Sequence, residues 1–431
     1  MTLREDAQII MDKALAASLP DAAVEKALKN KKFGSGRIVV VSIGKAAWQM
    51  AKTTVALLGD RISGGIVITK YQHAKGALPP LEIYEAGHPV LDANSVAATA
   101  RAIDMVKDLG KDDTVLFLIS GGGSALFEKP LIPLSELQKI NSDLLSSGAD
   151  IVSMNTVRKR FSAVKGGKFA QICAPANVYA IVLSDIIGDP LDMIASGPAY
   201  PDTSTREDAQ RVIERYKVIL SPEAEACLAV ETPKRLDHVE TVVTGSVTEL
   251  AKAGKRAAEA LGYRTHILTS SLDCEAREAG SFLAAMGREY AGCGKKMAFL
   301  AGGETVVHLR GRGKGGRNQE IALSAARGIA GLSNVAVFSF GSDGTDGPTD
   351  AAGGYADGST AARLLEAGLS IPDVLERNDA YHALEKSDGL LVQAQQGQCQ
   401  RSVRASYWLM TTLKSTLFAV FLQKGCFFLL K

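Results

Sequence analysis

The sequence predicts an α/β fold in two domains, the first built on a parallel sheet whose strands are buried on both faces and the second a further α/β series. Three observations predict it. Strand-like runs without polar alternation, at residues 37–43 (RIVVVSI), 65–69, 114–119 and 178–183, alternate with helical patterns. That alternation marks a parallel sheet covered by helices on both sides. Glycine clusters follow several of these runs, where the loops of such a sheet gather around ligands. Finally, 431 residues exceed one compact core and favour roughly two to three domains.

Taken in order, an amphipathic helix opens the chain, with Ile9, Ile10, Ala14 and Leu15 at helical spacing. The first strand, 37–43, runs into Gly44-Lys45 and a helix through Leu58. Residues 65–69 form a second strand. Residues 93–109 read as an alanine-rich helix capped by Asp92 or Asn94. The strand at 114–119 ends in Ser120-Gly-Gly-Gly-Ser124, and the strand at 178–183 ends in Ser184-Asp185. A helix follows at 206–215. Composition turns polar near Thr232-Pro233-Lys234, which sets a domain boundary at 235. A second series then runs through strands at 239–244, 265–268, 297–300 and 335–340, with helices at 247–261, 275–290, after Arg317 and at 360–368. The expected domains are residues 1–235 and 236–392.

Lys plus Arg is 49 and Asp plus Glu 47, a net +2. That balance speaks against a nucleic-acid or membrane-surface protein. Any anionic ligand must be met locally. Six scattered cysteines, with no CxxC pair, fit reduced thiols in a cytoplasm better than a disulfide framework or a zinc site. The start, MTLREDAQIIMDKAL, is helical and partly acidic rather than a signal peptide, and no run reaches membrane-spanning length. The expectation is a soluble cytoplasmic protein, with room left for a homo-oligomer.

Ligands of open α/β sheets bind beyond the carboxyl ends of the strands. Lys45 follows Gly44 at such an end and near a helix start, where an ammonium and free N–H groups can meet a phosphate or carboxylate together. Its plain alternative is a solvated first-turn lysine. Ser120, Gly121, Gly122, Gly123 and Ser124 resemble an anion nest, yet they form neither GxxxxGK[ST] nor GxGxxG, because Leu126 takes the sixth position. Residues 155–168, from Asn155 to Lys168, concentrate five cations. They are either a solvated basic face or a recognition element for an acidic ligand, with Arg158 the best candidate for bidentate carboxylate binding. Ser196-Gly197, Glu304, Arg317-Asn318, Asp343 and Asp346 lie in further glycine-rich loops of the same kind. No histidine pair has metal spacing, and no GxSxG elbow occurs, so hydrolysis is disfavoured.

The motifs SIGKAAWQMAK, ITKYQH, YEAGHPVLD, FLISGGGSALF, NTVRKRFSAVKGGK, VLSDIIGD, DMIASGPAYPD, TSLDCEAREAG, GGETVVH, GGRNQEIALSAA and GSDGTDGPTDAAGG occur in order. Together they resemble the class II glycerate kinases, the glycerate 2-kinases of the MOFRL type, some of them labelled hydroxypyruvate reductases. The resemblance runs from about residue 37 to residue 392. It implies an N-terminal Rossmann-like parallel-sheet domain and a C-terminal α/β MOFRL-type domain, with the active site in the cleft between them. It also implies transfer of the γ-phosphoryl group of ATP to the 2-hydroxyl of D-glycerate with a divalent metal such as Mg²⁺. Lys45 and Arg317 match the family's key active-site lysine and arginine. Asp185 is the candidate to orient the substrate hydroxyl, and Asp189 or Asp343 to hold the metal. The alternatives are a nicotinamide-dependent hydroxypyruvate reductase, disfavoured by the missing dinucleotide fingerprint, and an impaired ligand-binding homologue.

That last alternative comes from the tail, residues 393–431. From Gln393 onward there is no Asp or Glu. Where the family continues with Thr-Gly-Pro-Thr-Gly-Thr-Asn and a last strand, this chain reads Gln-Ala-Gln-Gln-Gly-Gln. The family codons read one nucleotide late can spell Gln-Ala-Gln-Gln-Gly. The hypothesis is a frameshift near residue 392, with a divergent tail as the alternative. If this tail belongs to the protein, a Gly/Thr-rich loop and a sheet strand are expected to be missing from the C-terminal domain.

Overall fold

The computed structural model describes residues 2–184, 191–342, 344–392 and 416–422. The chain divides into two compact units.

The N-terminal unit holds a six-stranded sheet made of β1 (Ile38–Ile43), β2 (Ile62–Lys70), β3 (Leu81–Ala86), β4 (Thr114–Ile119), β5 (Asn177–Leu183) and β6 (Val239–Thr244). Its order is β3-β2-β1-β4-β5-β6 and every pair is parallel. All residues of β1 and β4 are buried, which is why these runs carry no polar alternation. The chain steps outward from β1 to β3 and returns to place β4 on the other side of β1. The strand order therefore reverses between β1 and β4, with Ile43 opposite Ile119. That is the topological switch point of the sheet, where the two adjoining loops part and leave a crevice. The helix Ala93–Val106 starts on Asp92, whose carboxylate accepts the Ser95 N–H at 2.9 Å.

The second unit holds a mixed sheet rather than a purely parallel one. Its strands are β7 (Arg264–Leu272), β8 (Met297–Gly303), β9 (Val335–Gly341), β10 (Gly353–Asp357), β11 (Leu390–Leu391) and β12 (Thr416–Leu422), ordered β11-β10-β9-β12-β8-β7. β7 and β8 are parallel, whereas β10, β11 and β12 each run antiparallel to their neighbours. Successive residues alternate between the two faces. Met297, Phe299, Val335 and Val337 pack with the helices Ala276–Tyr290 and Arg317–Gly328. Ala298, Leu300, Ala336 and Phe338 pack with the helices Leu3–Ser18 and Val247–Ala260. The opening helix of the chain is thus part of the second unit's core.

The tail itself supplies a strand to this sheet, so no strand position between β8 and β9 is missing. The tail segment Thr416–Leu422 lies between β8 and β9, and Ala419, fully buried, sits between Leu300 and Phe338. Two parallel strands separated by one strand's width present open hydrogen-bonding edges to each other, and a seven-residue run fills both ladders. The remainder of the tail lies outside the described residues. Among the described residues, no helix is long and apolar enough to cross a membrane.

Candidate active site

In the N-terminal unit the switch point is closed by one glycine. Gly44 leaves β1 at φ +107°, and a Cβ there would lie 2.3 Å from Ser120 Oγ. Only glycine allows both this conformation and this approach. The Lys45 N–H donates to Gly121 O at 2.9 Å and the Ala46 N–H to Ser120 Oγ at 3.1 Å, so the two loops are tied together. Thr69 Oγ1 donates to Gly44 O at 3.0 Å, and His73 Nδ1 lies 3.1 Å from Lys45 O. Burial lowers the His73 pKa, which favours a neutral ring holding this carbonyl.

Gly122 adopts φ +88°. A Cβ on it would lie 3.2 Å from Lys45 Cγ and 3.0 Å from His88 Cδ2, so the lysine stem and the His88 ring both border this turn. The N–H groups of Gly121 and Gly122 meet no acceptor among the described residues. A lysine stem beside two open N–H groups is an anion site by composition. The spacing of the histidines gives no sign of His88; its place in the AGHPV motif is the signal the sequence carries.

The far side of this loop is built from Asn155, Ser196 and Ser124. Ser196 Oγ donates to Asn155 Oδ1 at 2.9 Å and lies 3.1 Å from Ser124 Oγ. Ala195, Ser196 and Gly197 are consecutive left-handed residues, at φ +51°, +61° and +64°. Two of them carry side chains, a conformation that costs about 1–3 kcal/mol each and persists only where the surroundings enforce it. The enforcement comes from Gly166 and Gly167, whose N–H groups donate to Ser196 O at 3.0 Å and Gly197 O at 2.7 Å.

The basic segment 155–168 is mostly internal scaffold. Lys159 pairs with Asp202 at 3.0 Å and Asp192 at 3.3 Å; Arg160 reaches Glu231 at 3.2 Å and Ser204 O at 2.7 Å. Lys165 pairs with Glu128 in the interior and donates to Ser124 O at 2.8 Å. Lys168 donates to three backbone carbonyls, and burial pushes its pKa down to about 8. Arg158 differs. Its Nε donates to Asn141 Oδ1 at 2.7 Å, burial lowers its pKa, and no carboxylate pairs with it among the described residues.

In the second unit, Arg317 opens the helix Arg317–Gly328 and its Nη1 donates to Glu304 Oε1 at 3.2 Å, Glu304 lying just past β8. The N-cap position is Gly316, which has no side chain to cap with. Asp346 supplies the cap from another loop. Its carboxylate accepts the N–H groups of Asn318 at 3.1 Å and Gln319 at 2.9 Å, and Asn318 Nδ2 at 2.9 Å. Ser339 Oγ fixes the Asn318 side chain by donating to its Oδ1 at 2.5 Å. Complete burial raises the Asp346 pKa to about 6 despite these hydrogen bonds. Asp346 and Asn318 are thus engaged with each other, shaping the helix start beneath Arg317.

Asp185, Asp189 and Asp343 lie outside the described residues. Among the described residues, no group of three His, Cys, Asp or Glu side chains could hold a metal ion.

The fold and loops define a two-unit α/β protein with an anion-suited loop pair on its parallel sheet and an arginine-headed helix beside its mixed sheet. Residues 6–229 match a family described as a domain of unknown function (DUF4147), and residues 297–401 match the MOFRL family. The D-glycerate 2-kinase of Thermotoga maritima is 49% identical over 397 residues, covering 91% of this chain and 95% of that protein. A glycerate kinase crystal structure from Thermotoga maritima superposes with a TM-score of 0.89 at 46% identity, covering 97% of this chain and 99% of that one. A relative from Agrobacterium vitis, 38% identical and covering 83% of this chain and 95% of its own length, carries a provisional hydroxypyruvate reductase name. The chain belongs to the class II glycerate kinase family, a family of kinases with DUF4147 and MOFRL domains.

Proposed function

We propose that this chain transfers the γ-phosphoryl group of ATP to the 2-hydroxyl of D-glycerate, giving 2-phosphoglycerate and ADP. The observation that carries the reading is Lys45 beside the open N–H groups of Gly121 and Gly122, in a chain 49% identical to a protein named D-glycerate 2-kinase. Phosphoryl transfer demands positioning and charge neutralisation more than covalent work. The acceptor 2-oxygen bonds to the γ-phosphorus while the bond from phosphorus to the β–γ bridging oxygen breaks. The acceptor's proton must leave, and Asp185 is the residue proposed to take it.

Lys45 and Arg317 are each proposed to neutralise charge on phosphoryl oxygens. Gly44, Ser120, Ser124, Asn155, Ser196 and Gly197 shape the loops around Lys45, and Arg158 is proposed to meet the acceptor carboxylate. Glu304, Asn318 and Asp346 hold the start of the Arg317 helix. Mg²⁺ belongs to this reading as the counter-ion of ATP, with Asp189 and Asp343 proposed as ligands and no step carried by it. The free cysteines Cys173, Cys227, Cys274 and Cys293 suit a reducing, cytoplasmic setting.

The test is a coupled assay with D-glycerate, ATP and Mg²⁺ that identifies the phosphorylated isomer, beside a cuvette holding hydroxypyruvate and NADH. Formation of 2-phosphoglycerate, abolished in Lys45→Ala, is the expected result. Oxidation of NADH without consumption of ATP would overturn it in favour of a reductase.

A further inference from the structure

The stretch that leads into the Arg317 helix alternates cations with glycines: Arg310, Gly311, Arg312, Gly313, Lys314, Gly315, Gly316, Arg317. It holds four cations and no acid, in a chain whose net charge is only +2. The glycines are there because a wall formed by residues 377–380 stands against them. A Cβ on Gly311 would lie 2.4 Å from Arg377 O, one on Gly313 2.5 Å from Asp379 Cβ, and one on Gly315 3.2 Å from Ala380 N. None of these three has a positive φ, so close approach, not backbone conformation, is what calls for glycine here.

The same wall grips the stretch by hydrogen bonds. Asn378 Oδ1 accepts the N–H groups of Arg310 at 2.7 Å and Gly311 at 2.9 Å, while its Nδ2 donates to His308 O at 3.2 Å. Asn378 is buried and left-handed, at φ +53°. The Gly313 N–H donates to Arg377 O at 2.8 Å, the Lys314 N–H to Asp379 Oδ1 at 2.9 Å, and the Tyr381 N–H to Lys314 O at 2.9 Å. A segment of glycines that would otherwise sample many conformations is thereby fixed along one edge.

What remains available is positive. Arg312 is exposed and pairs with no carboxylate among the described residues. Lys314 rests its ammonium on the Tyr381 ring, 3.9 Å from the centroid, rather than on an acid. The N–H groups of Arg312, Gly315 and Gly316 meet no acceptor among the described residues. The N–H groups of Asn318 and Gln319 inside the helix are taken by Asp346, so the open donors belong to the loop and not to the helix end. Cations and N–H donors spread over successive residues suit a chain of several charged oxygens better than a single carboxylate.

We propose that residues 310–317 bind the polyphosphate chain of the phosphoryl donor, with Arg312 and Lys314 as the anion-binding side chains and Asn378 as the positioning residue that fixes the loop. The assignment of a nucleotide as the source rests on the kinase reading above; the polyanion chemistry does not.

The experiment titrates wild-type protein, Arg312→Ala and Lys314→Ala with ATP and with inorganic tripolyphosphate by calorimetry, and measures KM for ATP and for D-glycerate. Both positions are loop side chains outside the core, so folding is not at stake. Each substitution is expected to weaken both polyphosphates by about tenfold, the worth of one charge-assisted contact, with KM for D-glycerate changed less than about twofold. Asn378→Gly, which keeps the left-handed backbone but drops the clasp, is expected to move KM for ATP the same way. Unchanged ATP and tripolyphosphate affinity in both cation variants would overturn the assignment. A rise confined to KM for D-glycerate would do so too, giving the loop to the acceptor. Wild-type protein that binds tripolyphosphate through Arg312 yet phosphorylates nothing would sink the kinase reading and leave the polyanion site standing.

Discussion

Gly316 and Asp346 occupy each other's space: a Cβ on Gly316 would lie 2.4 Å from Asp346 Cγ. The helix that begins at Arg317 is therefore capped by a carboxylate from a distant loop, and it can be so capped only because its own N-cap position has no side chain. Gly316→Ala is expected to push the carboxylate off the Asn318 and Gln319 N–H groups. Loss of a cap together with local overpacking should cost about 1–3 kcal/mol. Urea unfolding of the two proteins checks this, and an unchanged midpoint would mean that the loop yields freely.

The same carboxylate predicts a pH dependence. Asp346 has its pKa raised from 3.8 to about 6, burial being the first cause and its hydrogen bonds opposing. A folded-state pKa above the unfolded one means that the native state binds the proton more tightly. The stability contributed by this group is full below the unfolded value and is lost as pH rises through about 6. Comparing wild type with Asp346→Asn between pH 4 and 7, the stability difference in favour of wild type should shrink as pH rises. A difference that grows with pH would show that the ionised carboxylate is the better cap.

Lys165 and Glu128 form an interior ion pair, both side chains almost fully buried. Glu128→Gln removes the counter-charge of an ammonium that also holds Ser124 O. Breaking one side of such a pair typically costs about 3–5 kcal/mol, whereas replacing both partners by apolar residues is often neutral. Glu128→Leu with Lys165→Met is therefore expected to recover most of the stability lost in Glu128→Gln, as denaturant midpoints would register. Equal losses in the single and double variants would mean that Lys165 acts through its hydrogen bond to Ser124 alone.

These partnerships explain which parts of the molecule were legible in the sequence. The buried parallel strands β1, β4 and β5 announce themselves as unbroken apolar runs, because both faces of each are covered. β3 gave no such signal: it sits at the sheet edge and reads LEIYEA, with only its two ends buried. β10 is hidden because Gly353 and Gly354 look like a loop, yet a Cβ at 353 would lie 1.9 Å from Ser339 O of the neighbouring strand. Periodicity exposed the apolar face of the opening helix, but not that its partner is the helix Val247–Ala260, since periodicity defines a face and not what covers it. The five cations of 155–168 could not be divided into scaffold and site, because Asp202, Glu128 and Glu231, which neutralise three of them, are remote in sequence. The loops around Lys45 were legible for the opposite reason: glycine density after a buried strand is a local signal.

Ser196 offers the sharpest separation of backbone strain from side-chain chemistry. It is fully buried at φ +61°, where a non-glycine residue is strained, and its hydroxyl links Asn155 to Ser124. Ser196→Gly removes the hydroxyl and the strain; Ser196→Ala removes the hydroxyl and keeps the strain. Relief of a left-handed backbone is worth about 1 kcal/mol, so the glycine variant should be the more stable of the two by that amount. If the hydroxyl chain orders the loop that carries Ser124, both variants should lose turnover to a similar extent despite their different stabilities. Thermal unfolding and steady-state rates on the same preparations separate the two effects. Turnover that tracks stability across wild type, Ser196→Gly and Ser196→Ala would assign Ser196 to the fold alone.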